Sequence, residues 1–198
     1  MSNSNATERI RIQSSQNSNA ILLECWKHAD RYRHQIGCLI DGEQHIILES
    51  IEGTNNEIWP ASPPLQQVYQ QQIENDPVIL AVGMAGKNHY SMSARICEYQ
   101  SGSFLKLEMA CLLKQNDPNR FLGTTYRLNP AFCCKAEDDS IQWFHADKIK
   151  KFATLEVENC ARIKQNSNPP NDEIAFVPSA ILEDKPTQWS YLVRIVNP

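Results

Sequence analysis

The chain carries none of the short motifs that announce a catalytic or cofactor site. There is no Gly-x-Ser-x-Gly elbow, no dinucleotide-binding glycine fingerprint, no His-Glu-x-x-His and no Cys-x-x-Cys. This removes the usual sequence grounds for a hydrolase nucleophile, a nicotinamide cofactor, a zinc-protease centre or a paired-cysteine metal site. No cofactor and no metal are expected. An excess of positive charge is also missing: 19 Lys and Arg stand against 23 Asp and Glu, a formal net charge of −4. Electrostatic capture of nucleic acid or of anionic lipid is therefore disfavoured, and neither is an expected partner.

Long apolar runs are absent too. The longest stretch, Val78 to Ala85, is broken by Gly83, far short of the roughly 20 residues that span a bilayer. Met1 to Ala6 holds neither a basic nor an apolar segment of the signal-peptide kind, so no cleaved leader is expected and a cytoplasmic location is. The 7 cysteines are odd in number and the chain is long enough to build a core without staples, so free thiols are expected. Cys25, Cys38 and Cys111 lie in phase with apolar neighbours and read as small hydrophobes. Cys97, Cys133, Cys134 and Cys160 fall on polar phases or in a loop-like stretch and are the candidates for reactivity.

What is present is an ordinary globular composition, 198 residues with 41% apolar and 21% charged. Residues 1–19, rich in Ser, Asn and Gln, read as a flexible tail with a possible short strand at Arg9 to Ile12, and residues 20–198 read as a single β-rich domain. The leading signal is period two, which marks strands with one buried and one wet face. It runs through Leu105, Leu107, Met109 and Cys111, through Leu155, Val157, Ala161 and Ile163, through Trp189, Tyr191, Val193 and Ile195, and more weakly through Met92, Ala94 and Ile96. Helical spacing occurs after Ser62-Pro63-Pro64, where Leu65, Val68, Tyr69 and Ile73 fall at offsets 0, 3, 4 and 8, and a second short helix is expected around Ala146 to Phe152. The expected fold is mainly β, an antiparallel sandwich or partly open barrel with one or two short helices.

The strongest local signal is Asp41-Gly42, suited to a two-residue turn with positive φ at both positions. An unbroken hairpin about it pairs Ile40 with Glu43, Cys38 with His45, Ile36 with Ile47 and His34 with Glu49. A turn at Ala29 to Arg31 would bring Trp26 opposite His34 and leave His28 on a diagonal. His34 and Glu49 then become candidate catalytic residues, an imidazole base oriented by a carboxylate, with Trp26 and His28 as ligand-binding neighbours. A second polar cluster, Lys87, His89 and Ser91, follows the glycine-containing turn after Val78 to Ala85. It is a candidate for ligand binding or for stabilising negative charge, but it lacks the spacing of a nucleotide phosphate loop. Alternating charges at Arg95, Lys106, Glu108, Arg127, Glu156, Glu158, Arg162 and Lys164 read as wet strand faces, or alternatively as a polar barrel lining.

The expected function is a non-enzymatic module that binds a small-molecule ligand or a protein partner. One alternative is a small hydrolase or lyase with the His34/Glu49 dyad and Lys87 or His89 as charge stabilisers, which requires the two polar clusters to converge. Another is a subunit of a larger assembly, marked by an exposed apolar stripe around Tyr69 or an unpaired edge strand.

Overall fold

The structure, a computed structural model, describes residues 9–15, 19–99, 102–115, 117, 120–137, 140–145, 148–157, 161–168, 171–182 and 184–195. In chain order its strands are β1 (Arg9–Gln13), β2 (Asn19–His28), β3 (Arg31–Ile40), β4 (Glu43–Ser50), β5 (Gln67–Ile73), β6 (Asp76–Ala85), β7 (Asn88–Tyr99), β8 (Gly102–Leu112), β9 (Thr124–Leu128), β10 (Phe132–Glu137), β11 (Ser140–His145), β12 (Lys148–Val157), β13 (Ala161–Asn168), β14 (Asn171–Pro178) and β15 (Thr187–Ile195). They form two antiparallel sheets. The first is 7-stranded in the order β1-β2-β3-β4-β9-β14-β13, and the second is 8-stranded in the order β10-β11-β12-β15-β8-β7-β6-β5. Among the described residues there is no helix, so none long and apolar enough to cross a membrane.

Alternation in the sequence decides which face is buried. On β8, Ser103, Leu105, Leu107, Met109 and Cys111 are buried, while Lys106 and Glu108 point outward. On β15, Trp189, Tyr191 and Val193 turn inward. The inner faces of both sheets meet in one cluster, with Leu23, Ile36 and Leu48 of the first beside Ile79, Met92, Leu107 and Trp189 of the second. Cys25, Cys38 and Cys111 are free and buried in it. Burial pushes the first two thiols up to about 12 and the third to about 11, which keeps them protonated and unreactive at neutral pH. Cys97 is a half-buried free thiol; the side chains of Cys133 and Cys134, and all of Cys160, lie outside the described residues.

The expected helix after Pro64 is instead strand β5. The spacing of Leu65, Val68, Tyr69 and Ile73 fits a helix, but these residues are not buried as one helical face. Val68 is buried while Tyr69 is 57% exposed, and Leu65 belongs to a crossing segment whose carbonyl accepts from Tyr32 N at 2.6 Å. Pairing decides the matter: Glu74 and Asn75 both have positive φ, closing a two-residue hairpin that registers β5 against β6 from Ile73↔Asp76 to Gln67↔Val82. Pro77 is tolerated because β7 begins to pair with β6 only at Val78. The second expected helix also gives way to a strand, since Lys148–Val157 is β12 and residues 146 and 147 lie outside the described set. The single run Leu155 to Ile163 divides into β12 and β13, which belong to different sheets. The short strand expected at Arg9 is β1; residues 1–8 and 16–18 of the tail lie outside the described residues.

Candidate functional site

The Asp41-Gly42 turn forms with φ of 52° and 84°, and the expected register holds for Ile40↔Glu43, Cys38↔His45 and Gly37↔Ile46. A β-bulge then intervenes. Ile36 pairs with Leu48 and Gln35 with Glu49, so Ile47 is an extra residue on β4. The shift moves Glu49 to the outer face, where its Oε1 lies 3.8 Å from Nη1 of Arg33, and it puts Ser50 opposite His34, whose backbone N–H donates to Ser50 Oγ at 2.9 Å. The His34/Glu49 pair expected from an unbroken hairpin is therefore not formed.

The neighbours also part company. The β2–β3 turn uses only Ala29 and Asp30, with Ala29 at φ 57°, so Trp26 pairs with Arg33 and His28 with Arg31, while Cys25 faces His34. Trp26 and His28 lie on the outer face; Arg9 covers the Trp26 ring at 5.7 Å and pairs with Glu24 at 2.9 Å. Lys87 sits on the exposed turn between β6 and β7, its N–H donating to Gln115 Oε1 at 2.9 Å, so that amide is not available to an anion. His89 and Ser91 are on the outer face of the second sheet. The two polar clusters do not converge: His34 is buried between the sheets, Trp26, His28 and Glu49 lie on the outer face of the first sheet, and His89 and Ser91 lie on the outer face of the second.

His34 instead anchors a buried polar chain. Its Nε2 lies 2.7 Å from Tyr126 Oη, which bonds Tyr191 Oη; Tyr191 bonds Thr124, and Trp189 Nε1 donates to Thr124 Oγ1 at 3.1 Å. An indole N–H can only donate. At the other end of the chain, His34 Nδ1 has no hydrogen-bond partner among the described residues. Burial alone lowers the His34 pKa to about 4, so the ring is neutral at neutral pH, and burial drives the two tyrosines upward. Because all of these groups are sealed from solvent, they tie the two sheets together and have no route to a substrate. Removing one member should show this: Tyr126→Phe is expected to cost about 1–3 kcal/mol by stranding His34 Nε2 and the Tyr191 hydroxyl, read as a lower urea midpoint at unchanged slope.

Beneath this chain lies Glu52, which sequence reasoning weighed only as a paired carboxylate with Glu49 and Glu57 and set aside because Glu49 and Glu52 have opposite strand parity. Its Oε1 accepts from Ser50 Oγ at 2.7 Å, and its Oε2 is shielded with no hydrogen-bond partner among the described residues. Burial raises its pKa to about 7, against the pull of Ser50, Arg31 and Arg33. Arg31 is 4% exposed and is held by Asp30 and by the Thr54 carbonyl. Among the described residues, no three His, Cys, Asp or Glu side chains are grouped to hold a metal ion.

An accessible concavity lies elsewhere, on the outer face of the second sheet. Two adjoining depressions of about 590 and 570 Å³ share Val82, Ser91, Ala110 and Gln188. These four form one rung across β6, β7, β8 and β15, since Val82 pairs with Ser91, Ser91 with Ala110 and Ala110 with Gln188. One end is bounded by Met84 and His89, the other by Ser93, Lys106 and Glu108. Val82 and Met84 are 45% and 44% exposed. Sequence reasoning reached His89 and Ser91 as polar residues after a turn but missed Val82, Ala110 and Gln188, which only strand pairing brings beside them. No protein-family model, curated protein or solved structure matches the chain, so its function rests on the geometry of its own residues.

Proposed function

We propose that the chain is a non-enzymatic binding module, a two-sheet sandwich that takes an uncharged, partly apolar small ligand in the groove across β6, β7, β8 and β15. The rung Val82–Ser91–Ala110–Gln188 carries this reading. Three strand spacings, about 14 Å, are floored by short or uncharged side chains with exposed Val82 and Met84 beside them. The volumes fall in the range of small-molecule sites, and a mostly apolar lining with a few hydroxyl, amide and imidazole groups is how such sites orient a ligand. Binding is favoured over chemistry because the groove's carboxylate and imidazole stand at opposite ends, and the carboxylate is engaged: Glu108 accepts from Ser93 Oγ at 3.2 Å and pairs with Lys106 at 3.3 Å. His89 pairs with Met84 and Leu112 across the strands, with no carboxylate on its rung, and His34 is sealed in the core.

The test is a thermal-shift panel of nucleosides, sugars and aromatic alcohols on the parent chain and on Ala110→Arg. This outward-facing change is expected to leave stability within about 0.5 kcal/mol. A ligand at a hundredfold excess over its Kd should stabilise the parent by about 2.7 kcal/mol and the variant hardly at all. Equal stabilisation of both proteins would place the site outside the groove.

A further inference from the structure

We infer that β5 is the strand through which the chain pairs with a second copy of itself, antiparallel and about a two-fold axis at Gln70. The two sheets end in four edge strands, β1 and β13 on the first and β10 and β5 on the second. Three of these carry charge: Arg9 and Arg11 on β1, Arg162 and Lys164 on β13, Lys135 and Glu137 on β10. Charged side chains on an edge are a common protection against strand addition. β5 has none. It reads Gln-Val-Tyr-Gln-Gln-Gln-Ile, has no proline, and keeps an uninterrupted register with β6. Gln67, Tyr69, Gln70, Gln71 and Gln72 are exposed, and Tyr69, at 57%, is the most exposed large apolar side chain among the described residues.

The turn after β5 fixes which backbone groups are free. With positive φ at both Glu74 and Asn75, the hairpin closes on Ile73 and Asp76 as a pair exchanging both hydrogen bonds. Counting back by twos, Gln71, Tyr69 and Gln67 are bonded to β6, while Val68, Gln70 and Gln72 aim their N–H and C=O groups away from the sheet. A two-fold axis through Gln70 sets this residue against itself and Val68 against Gln72 of the second copy, with the converse pair on the other side. Each outward group then finds a partner. On the outer face Tyr69 lies beside Gln71 of the second copy, and no like charges meet. The same symmetry makes the contact isologous and closed, so pairing stops at two chains.

Sedimentation of the full chain tests the inference, together with amide exchange at Val68, Gln70 and Gln72. The parent should sediment at twice the 22.6 kDa chain mass, with those three amides protected. Gln70→Pro removes an N–H that β6 does not use, a substitution that an edge strand tolerates, and it deletes the two central bonds of the pair; dimer affinity should fall about tenfold or more. Gln70→Lys, which puts two like charges face to face, should also weaken the dimer and expose the same amides. A parent that sediments as a single chain overturns the inference. So does a dimer that survives both substitutions while these amides exchange freely.

Discussion

Replacing Gly83 with alanine is expected to destabilise the chain by about 3 kcal/mol or more, beyond the ordinary cost of an overpacked site. Gly83 lies inside β6, and a Cβ built there falls 1.6 Å from the carbonyl oxygen of Pro64, 2.7 Å from its carbonyl carbon and 3.0 Å from the Gln66 nitrogen. All three are backbone atoms of the segment that crosses from the first sheet to the second. That segment is tied to both sheets, with the Leu65 carbonyl accepting from Tyr32 and Gln66 N donating to the Val82 carbonyl at 2.9 Å. It cannot yield without breaking one of these bonds, and on leaving it would uncover Leu65, which is fully buried. For a chain of this length the loss corresponds to a fall in Tm of roughly 6–12 °C. Gly42→Ala supplies the contrast. Gly42 has φ 84° but open space around its would-be Cβ, so only the backbone strain is felt, about 1 kcal/mol. Equal Tm values for the two variants would contradict the close crossing.

The crossing also shows why the fold was only partly legible in the sequence. Period two identified β8 and β15 because each has one wet face, so polarity alternates. Asp41-Gly42 identified its hairpin because few residue pairs tolerate that turn. β5 was misread because glutamine is a good helix former and four apolar positions suggest a helical period, and pairing with β6 overrides both. The candidate dyad failed for a different reason. A single extra residue in β4 reverses the facing of every residue beyond it, so Glu49 leaves the core side and Ser50 takes its place. One sign was available: Gly37, isolated within a strand pattern, is the residue type that marks a bulge or a close backbone approach. Its would-be Cβ lies 2.5 Å from the His45 carbonyl oxygen. His34 was the right residue to single out, but its phase with Ile36 and Cys38 already placed it among buried side chains rather than in a cleft. The groove was the least legible feature, because its central rung joins residues from four strands that no local pattern relates.

Buried His34 and half-buried Glu52 lead to the second large effect, of which the parent chain should show almost none. Glu52 has its folded pKa raised from 4.5 to about 7, so its contribution to stability is complete below pH 4.5 and is lost as pH rises toward 7. His34 has its folded pKa lowered from 6.5 to about 4, so its contribution is complete above pH 6.5 and is lost as pH falls toward 4. Between pH 4.5 and 6.5 the folded chain keeps a proton on Glu52 and none on His34, whereas the unfolded chain does the reverse. Proton counts match, and the two slopes cancel. Glu52→Gln removes one side of the balance while keeping an acceptor for Ser50. Its stability should fall by about 1.4 kcal/mol for each pH unit below 6.5, or about 3 kcal/mol over the window. His34→Gln should show the opposite slope, losing stability as pH rises through the same range. Urea midpoints at several pH values, compared with the parent at each, isolate these two groups from carboxylates common to all three proteins. Variant slopes parallel to the parent's would mean that neither side chain titrates in the enclosed setting described, and that water reaches the space between Ser50, Arg31 and Arg33.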